Sequence, residues 1–381
     1  MTAAGLIFTN IHDAAIPSLT KTRTIASVPY GCRYRLIDFI LSNMVNANIS
    51  VIGLITHNNY QSLLDHIGSG KDWDLARRTG GIKILPPFIT AYDSVAANKV
   101  YASRLEALMG VMSFIRHRTE EYIVLSDCDS VYNIDLSGVI AAHSKSGADV
   151  TIVTKEIPSD AGYISQHEEI VRFDDSGKIY DFVKYSSAEC ENEKTININT
   201  NVMVMKTKYL QNTLQDATVR GYSSFYQDII RRKVQKDNYR VYRYDGIYAL
   251  VSSLESYYKS NMMLLRQEVR EELFSVSERP VYTKVRNSPP VKYIDTCNVK
   301  NSLIADGCII GGAVENSVLF RGVNVADGAV VKNSIIFQDT SIGRGAELNC
   351  VITDKDVIIK NERKLSGHSH LPFFVGKGET L

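Results

Sequence analysis

The chain repeats one short pattern toward its C-terminal end: Val299-Lys-Asn-Ser-Leu-Ile, Val314-Glu-Asn-Ser-Val-Leu and Val330-Val-Lys-Asn-Ser-Ile-Ile. The copies are separated by corners of mostly small residues, Ile304-Ala-Asp-Gly, Val325-Ala-Asp-Gly and Ile342-Gly-Arg-Gly. Aliphatic residues at this hexapeptide-like spacing are what a parallel β-helix requires, because each coil buries its side chains on the next. We therefore predict a parallel β-helix over residues 291–381.

Upstream of the repeats, short apolar runs alternate with amphipathic segments. The runs at residues 5–8, 51–56, 122–125 and 150–154 predict strands, and the apolar stripes of residues 33–47 and 102–115 predict helices. Strands that alternate with helices indicate a largely parallel α/β sheet. Residues 170–183, with Asp174-Asp-Ser-Gly as the turn, predict an antiparallel hairpin inserted into it.

Length and prolines set the domain organisation. A chain of 381 residues with 44% hydrophobic content can bury more than one core. The last long helix of the first domain is predicted over residues 253–271, and Pro280, Pro289 and Pro290 follow it. We expect an α/β domain over residues 1–270, a linker over 271–290 and the β-helix domain over 291–381.

Composition excludes several classes of protein. The formal net charge is +1 and the charges are mixed along the chain, which argues against a nucleic-acid partner. No apolar run reaches the roughly 18 residues of a membrane helix. The histidines show no spacing typical of a metal site or a catalytic triad. The six cysteines are isolated from one another along the sequence: Cys32, Cys128, Cys190, Cys297, Cys308 and Cys350. They predict neither a zinc site nor a disulfide framework, and we expect a cytoplasmic protein.

Three segments resemble one family of enzymes. The segment Ser27-Val-Pro-Tyr-Gly-Cys-Arg-Tyr-Arg-Leu-Ile-Asp-Phe-Ile-Leu-Ser-Asn-Met is similar to the block VPFGGKYRLIDFxLSN of ADP-glucose pyrophosphorylases, the glucose-1-phosphate adenylyltransferases. His57-Asn-Asn-Tyr-Gln, followed by Gly70-Lys-Asp-Trp-Asp-Leu, and Asn261-Met-Met-Leu-Leu resemble later blocks. The resemblance implies a Rossmann-like nucleotidyltransferase domain followed by a left-handed parallel β-helix.

The resemblance fails where the family binds nucleotide phosphates. Its loop GGxGTRL corresponds to residues 10–16, where the glycine positions carry Asn10, Ile11 and Asp13 and the loop arginine is Ala15. The family's catalytic lysine, in RAKP, corresponds to Ile25. A glycine loop lets backbone N–H groups approach phosphates, and the two cations stabilise the transferring group. The resemblance therefore implies a catalytically degenerate site.

The family's magnesium site is half retained. Its GDHIY segment corresponds to Cys128-Asp-Ser-Val-Tyr, so that Asp129 occupies the position of the metal-binding aspartate, while the second aspartate is replaced by Ser224. Asp127 points the same way as Asp129 if the strand stays extended, so a rebuilt metal site is one reading. The other reading is that these carboxylates serve as turn or cap residues.

Three basic residues are candidates for binding phosphorylated ligands. The resemblance places Lys184 at the lysine of the FxEKP segment that contacts glucose-1-phosphate, although the preceding glutamate is Val183 here. Arg33 and Arg35 flank Tyr34 at a predicted helix start and are candidates for an effector phosphate. The alternative for all three is a surface charge or a structural ion pair.

The losses together imply a regulatory, largely non-catalytic subunit of the GlgD type, a pseudoenzyme in glycogen biosynthesis. Such a subunit would need no cofactor itself and would join a catalytic subunit of the GlgC type, whose reaction uses Mg²⁺, in a heterotetramer that binds a sugar-phosphate or nucleotide effector. An active adenylyltransferase with a rearranged loop is the alternative. An acyltransferase is disfavoured because no histidine lies between Ser288 and Lys360, and a dinucleotide oxidoreductase because no Gly-x-Gly-x-x-Gly follows the first strand.

Overall fold

The computed structural model describes residues 1–77, 79–87, 101, 103–159, 168–186, 190 and 193–381. The described residues begin with an α/β domain, and a β-helix follows it. The strands of the first domain are β1 (Ala3–Phe8), β2 (Pro29–Tyr30), β3 (Tyr34–Arg35), β4 (Val51–Ile55), β5 (Gly81–Leu85), β6 (Tyr122–Asp127), β7 (Ser130–Val131), β8 (Val150–Pro158), β9 (Glu169–Phe173), β10 (Ile179–Lys184), β11 (Thr195–Lys206), β12 (Tyr239–Arg243) and β13 (Ala249–Leu250).

A nine-stranded mixed sheet forms the centre of this domain. Strands β6, β1, β4 and β5 pair in parallel, in that order. The apolar runs of β6, β1 and β4 are buried on both faces as expected for a parallel sheet, whereas β5, at the edge, is partly exposed. The long strand β11 then pairs antiparallel with β6, β8 and β9. The hairpin β9–β10 turns at Asp174, whose Oδ1 accepts from the N–H groups of Ser176 and Lys178. The α/β fold and the inserted hairpin predicted from sequence are both present.

Helices cover this sheet, and none of the three helices predicted from the sequence has the expected bounds. The helices are α1 (Pro17–Thr20), α2 (Leu36–Asn46), α3 (Gln61–Ile67), α4 (Arg104–Gly110), α5 (Met112–Arg116), α6 (Leu136–Ser146), α7 (Thr207–Arg220), α8 (Arg231–Lys233), α9 (Leu254–Met262) and α10 (Gln267–Phe274), with tight 3₁₀ turns at Asp13–Ala15, Ile25–Ser27, Lys71–Trp73 and Met263–Leu265 and a π-helical turn at Phe225–Ile230.

Helix α2 begins at Leu36, three residues later than predicted. Arg35 instead ends β3 with an extended backbone, and its N–H donates to Asp38 Oδ2 at 3.0 Å, which stabilises the first turn. The prediction that Arg33 and Arg35 lie inside a helix was therefore wrong. Both residues belong to the β2–β3 hairpin that precedes it.

Two predicted long helices are each broken in two. The helix expected over residues 102–115 breaks at Val111, after the weak helix former Gly110, and its first residue, Ala102, lies outside the described residues. The helix expected over residues 253–271 breaks at Arg266, whose ψ of 133° is extended. Apolar periodicity continues across both breaks, which is why the sequence predicted single helices.

The repeats form a left-handed parallel β-helix. Fifteen short strands stack as three parallel sheets, each containing every third strand, and they run from β14 to β28: Lys292–Tyr293, Asn298–Lys300, Leu303–Ile304, Ile309–Ile310, Ala313–Glu315, Val318–Leu319, Asn324–Val325, Val330–Lys332, Ile335–Ile336, Ser341–Ile342, Glu347–Asn349, Val351–Thr353, Ile358–Ile359, Lys364–Ser366 and Phe373–Val375. Val314, Val331 and Leu348 stack at successive coils with at most 1% exposure.

The asparagine of each repeat adopts a left-handed backbone conformation at a corner of the coil. Asn301, Asn316 and Asn333 turn the coil with left-handed φ angles of 41°, 46° and 47°, which asparagine tolerates better than most residues. The Asn301 amide also donates to the Asn316 side-chain oxygen at 2.7 Å. The repeated Asn-Ser pair therefore marks the corner of each coil.

Side-chain contacts join the two domains. Arg23 Nη2 lies 2.8 Å from both carboxylate oxygens of Asp354, and both side chains are buried. Tyr258 of α9 donates its hydroxyl to the carbonyl oxygen of Asn333 at a coil corner, at 2.6 Å. The β-helix is thus packed directly onto the α/β domain.

Candidate functional site

A polar cavity of about 260 Å³ lies at the carboxyl ends of β1 and β6. Ligands of open α/β sheets bind at this edge, so the location is that of a functional site. Its lining includes His12, Arg104, Glu168, Glu169, Lys184 and Ser224. Two of these, Lys184 and Ser224, were singled out in the sequence.

The segment of residues 10–16 follows β1 and folds into a self-contained turn. The N–H groups of Asp13, Ala15 and Ile16 donate to carbonyl oxygens within the segment, at 3.4, 3.0 and 3.4 Å. Asp13 Oδ1 accepts from the N–H of Ile25 at 2.7 Å. These donors are therefore engaged in the turn and are not directed at a ligand, in contrast to the N–H groups of a phosphate-binding glycine loop.

The degenerate positions Ala15 and Ile25 belong to two successive 3₁₀ turns, which the hydrogen bond from Ile25 to Asp13 connects. Ala15 is exposed at the end of the turn, and Ile25 is buried in the 3₁₀ turn Ile25–Ser27, with 1% exposure. An apolar core side chain thus occupies the position at which the family resemblance puts a catalytic lysine. Neither residue offers a charge to the cavity.

His12 is directed from the segment onto two carboxylates. Its Nε2 atom lies 2.9 Å from Asp127 Oδ2 and 3.6 Å from Asp129 Oδ2. Burial lowers the pKa of His12, but the negative charges of Asp129 and Asp127 outweigh it and raise the pKa to about 9. Where no other cation is bound, His12 is therefore protonated at neutral pH and forms an ion pair with both aspartates.

Arg104, at the start of α4, completes the pairing of Asp127. It donates to Asp127 Oδ2 and to the hydroxyl of Tyr226, and its guanidinium also lies over the rings of Phe8 and Tyr226, at 5.2 and 5.0 Å. Burial opposes ionisation of Asp127, yet Arg104 and His12 hold the pKa of this carboxyl below its usual value. Asp129 shows the opposite shift, since burial and the charge of Asp127 raise its pKa.

Two glutamates make the cavity more acidic. Burial, together with the charge of Asp129, raises the pKa of Glu168 to about 7, and burial raises the pKa of Glu169 to about 8 despite nearby Arg104. Two carboxyl groups therefore line the cavity, and those of Asp127 and Asp129 are buried against His12 at its edge. Such a concentration of acid groups with perturbed pKa values is typical of functional sites, and it disfavours a bound phosphate.

The residue at the second metal position of the family does not supply a ligand charge. Ser224 lines the cavity, but its Oγ accepts from the N–H of Gln227 at 3.2 Å and caps the π-helical turn. Asp129, in contrast, is buried beside Asp127 and accepts a hydrogen bond from Ser130 Oγ. The pair Asp129 and Ser224 therefore does not fit the two-carboxylate magnesium site that the resemblance implies.

Lys184 lies on the opposite wall, at the end of β10. It is exposed and lines the same cavity as Ser224 and His12. The adjoining Val183 packs in the hairpin and offers no polar group.

The structure separates the two arginines proposed for effector binding. Arg33 is exposed, with its guanidinium 5.7 Å from the centre of the Tyr34 ring. Arg35 is buried with 6% exposure and donates to the carbonyl oxygen and the hydroxyl of Ser62, at 2.6 and 2.9 Å. Further cations lie near Arg35, namely Arg23, Arg286 and, from the β-helix, Lys355.

These cations form a cluster, which we call the boundary cluster: Arg23, Arg35, Arg286 and Lys355. Burial and the charges of Arg35 and Arg23 lower the pKa of Lys355 to about 7, although Asp354 acts in the opposite direction. Burial also lowers the pKa of Arg35, to about 10. Arg23 Nη1 is buried and finds no hydrogen-bond partner among the described residues. The cluster has more positive charge than its carboxylates neutralise.

Sequence reasoning missed His12, Arg104, Glu168 and Glu169. His12 could have been found from the pairing of neighbouring strands, because residues just past the carboxyl ends of adjacent parallel strands share one edge of the sheet. Phe8 is in register with Asp127, which brings the segment after β1 next to the aspartates. Arg104 and the glutamates carry no such local signal, since long-range packing brings them to the cavity.

The fold and the cavity define a nucleotidyltransferase-like domain joined to a hexapeptide β-helix. Comparison with known families agrees: the model "Nucleotidyl transferase" matches residues 16–267, and the model "GlmU-like, C-terminal hexapeptide" matches residues 289–369.

Individual relatives narrow this class. The chain is 33% identical to the glycogen biosynthesis protein GlgD of Bacillus subtilis over 98% of its own length and 95% of the relative. It is 36% identical to GlgD of Geobacillus stearothermophilus, over 86% of its own length and 82% of the relative. It is 31% identical to the glucose-1-phosphate adenylyltransferase of Clostridium perfringens strain SM101, again over 86% of its own length and 82% of the relative. The chain belongs to the ADP-glucose pyrophosphorylase family, in its GlgD-type branch. None of the helices in the described part of the chain is long and apolar enough to cross a bilayer.

Proposed function

We propose that this chain is a regulatory, largely non-catalytic subunit of ADP-glucose pyrophosphorylase in glycogen biosynthesis. The observation that carries the proposal is the structure of residues 10–16. His12 is ion-paired with Asp127 and Asp129 where the family has a glycine cradle, and the N–H groups of Asp13, Ala15 and Ile16 are bonded within the segment.

This arrangement opposes catalysis on electrostatic grounds. Nucleotidyl transfer from ATP depends on donors and cations that are already aimed at the phosphates before the reaction. Here two carboxyl groups line the cavity, two more are buried against His12, and the buried cation Arg104 is already bound to Asp127. The negative charges of a triphosphate would be repelled by these carboxyl groups, and residues 10–16 would offer no glycine loop to bind the phosphates. Residual binding of a sugar phosphate at Lys184 remains compatible with this arrangement.

The proposed role is to join a catalytic subunit of the GlgC type in a heterotetramer and to shift that subunit toward a more active conformation. The presence of both the α/β domain and the β-helix in this chain supports the role. Mg²⁺ would serve the partner's reaction. Such a shift requires that the chain contact the two conformations of the partner differently.

An anionic effector would bind at the boundary cluster. Arg23, Arg35 and Lys355 come from both domains, and the unpartnered Arg23 Nη1 supplies a free donor. Guanidinium groups with free donors bind phosphate oxygens strongly. A phosphorylated sugar or a nucleotide bound there would bridge the domains, which is one way to alter how the chain contacts its partner.

The test is ADP-glucose formation from ATP, glucose-1-phosphate and Mg²⁺ by the isolated chain, by the catalytic partner and by the two mixed. We expect the chain alone to be inert and the mixture to exceed the partner several-fold. The control is a partner variant that lacks its own catalytic lysine; mixed with this chain it should stay inactive.

Two outcomes would contradict the proposal. The first is turnover by the isolated chain at an ordinary enzyme rate of about 1 to 1000 per second, which would show an active enzyme with a rearranged loop. The second is failure of the pair to co-elute in size-exclusion chromatography together with unchanged kinetics of the partner.

A further inference from the structure

Three donor side chains, those of His12, Asp127 and Asp129, converge where His12 lines the cavity, and we call this group the floor of the cavity. One ligand atom from each lies within 4.8 Å of those of the other two, and His12 Nε2 is 2.9 Å from Asp127 Oδ2 and 3.6 Å from Asp129 Oδ2. Tetrahedral ligands at bond lengths of 2.0 to 2.1 Å are about 3.3 Å apart. The described residues contain no other such group of three. Small movements would therefore place all three donors on one divalent ion.

A second observation points to an occupant. Asp127 Oδ1 is buried and has no hydrogen-bond partner among the described residues, on a side chain with 4% exposure. Buried carboxylate oxygens without a partner are rare because their desolvation is costly. The other oxygen of this carboxylate, Oδ2, accepts from Arg104 and His12. Arg104 therefore holds Asp127 through Oδ2 and leaves Oδ1 free for a further ligand.

The charge of the surroundings also favours a divalent cation. Asp127 and Asp129 meet His12, and Glu168 and Glu169 line the adjoining cavity, so that four carboxyl groups lie near two permanent cations, Arg104 and Lys184. A divalent ion would add positive charge where carboxyl groups outnumber cations. The cavity above His12, with a volume of about 260 Å³, has room for the water that completes a tetrahedral shell.

We propose that His12, Asp127 and Asp129 bind a divalent transition-metal ion of the Zn²⁺ type, without any nucleotide. The mixed set of one imidazole and two carboxylates selects such an ion over Mg²⁺, which prefers oxygen ligands alone. Ser224, at the second carboxylate position of the family, takes no part. The site does not depend on the proposed regulatory role, since it uses only the contacts of this chain.

The experiment is calorimetric titration of the full chain, stripped with EDTA, with Zn²⁺ and separately with Mg²⁺. We expect one Zn²⁺ per chain, bound at least tenfold more tightly than Mg²⁺. His12→Ala should weaken Zn²⁺ binding at least tenfold. The matched control is His117→Ala, which removes an exposed histidine and should leave the affinity unchanged. Lack of stoichiometric Zn²⁺ binding, or equal affinity in His12→Ala, would overturn the proposal.

A second measurement needs no variant and so does not depend on the folding of His12→Ala. Co²⁺ bound to the wild-type chain should show the visible absorption of a tetrahedral site, and pulsed electron paramagnetic resonance should detect the nitrogen of a coordinated imidazole. Co²⁺ spectra without nitrogen coupling would exclude His12 as a ligand and overturn the site.

Discussion

The floor of the cavity and the boundary cluster both contain buried charged groups, but the excess charge has opposite sign in the two places. In the cavity, carboxylates outnumber cations, and His12 and Arg104 are drawn into ion pairs with Asp127. In the boundary cluster, cations outnumber carboxylates, and Asp354 binds Arg23 while Lys355 is left with a lowered pKa. We expect the first site to disfavour a nucleotide triphosphate and the second to favour a phosphate group. The proposed effector would therefore bind at the domain boundary, away from the edge of the sheet where the nucleotide site of its relatives is expected.

The largest effect is expected for Arg104→Ala in the cavity. The change leaves buried Asp127 with His12 as its one cationic partner among the described residues, and breaking a buried ion pair from one side costs about 3 to 5 kcal/mol. The measurement is urea unfolding at pH 7. The control is Arg232→Ala, because Arg232 pairs with Asp228 on the surface with 63% of its side chain exposed; its loss should cost under about 1 kcal/mol. Equal losses in the two variants would show that Arg104 is not a buried partner.

The contrast between these sites also shows what the sequence could predict. The repeats specify the β-helix because each coil carries its own core residue and its own corner residue. Val331 is buried in the core, and Asn333 adopts the left-handed conformation of a corner. The loss of the glycine cradle was visible residue by residue in Asn10, Ile11 and Asp13.

What replaces the cradle was not predictable from local pattern. His12 acquires its role through the pairing of β1 with β6, and Lys355 through contact with a segment more than three hundred residues earlier in the chain. The breaks at Val111 and Arg266 were missed for a related reason, because tertiary packing overrides an apolar period that continues through them.

The boundary cluster yields a prediction of intermediate size. Lys355→Met should weaken the binding of inorganic phosphate about 10- to 100-fold, since it removes one of the cations that meet there. It should also stabilise the free protein at pH 6, where burial of the charged Lys355 is unfavourable, by about 1 to 2 kcal/mol. Phosphate titration and urea unfolding measure the two effects. Unchanged phosphate binding would mean that the ligand, if any, binds elsewhere.

The control at this boundary is Lys377→Met, an exposed lysine near the end of the β-helix. It removes one positive charge without changing a buried contact. If both lysine variants weakened phosphate binding equally, the attraction would come from net charge and not from the cluster.

The smallest effect concerns the pH dependence of His12 in the metal-free protein. Because the folded state raises the pKa of His12 from 6.5 to about 9, the folded protein holds this proton more tightly than the unfolded chain. Its stabilisation is complete below about pH 6.5 and is lost as the pH rises through 9. The difference in unfolding free energy between wild type and His12→Gln should therefore fall by about 1 to 2 kcal/mol between pH 6 and 9.5, after allowance for partial exposure.

His143 provides the matched contrast. Burial lowers the pKa of His143 to about 4, and its Nδ1 atom bonds with Thr151 Oγ1 at 2.8 Å. Here the unfolded chain binds the proton more tightly, so the stabilisation by His143 grows as the pH rises from 4 to 6.5 and stays constant above. Urea unfolding of His12→Gln and His143→Gln across this range should give slopes of opposite sign, in separate pH windows. If the difference for His12→Gln did not decline above pH 6.5, the imidazole would be neutral in the fold, and the electrostatic contrast between the cavity and the boundary cluster would rest on Arg104 alone.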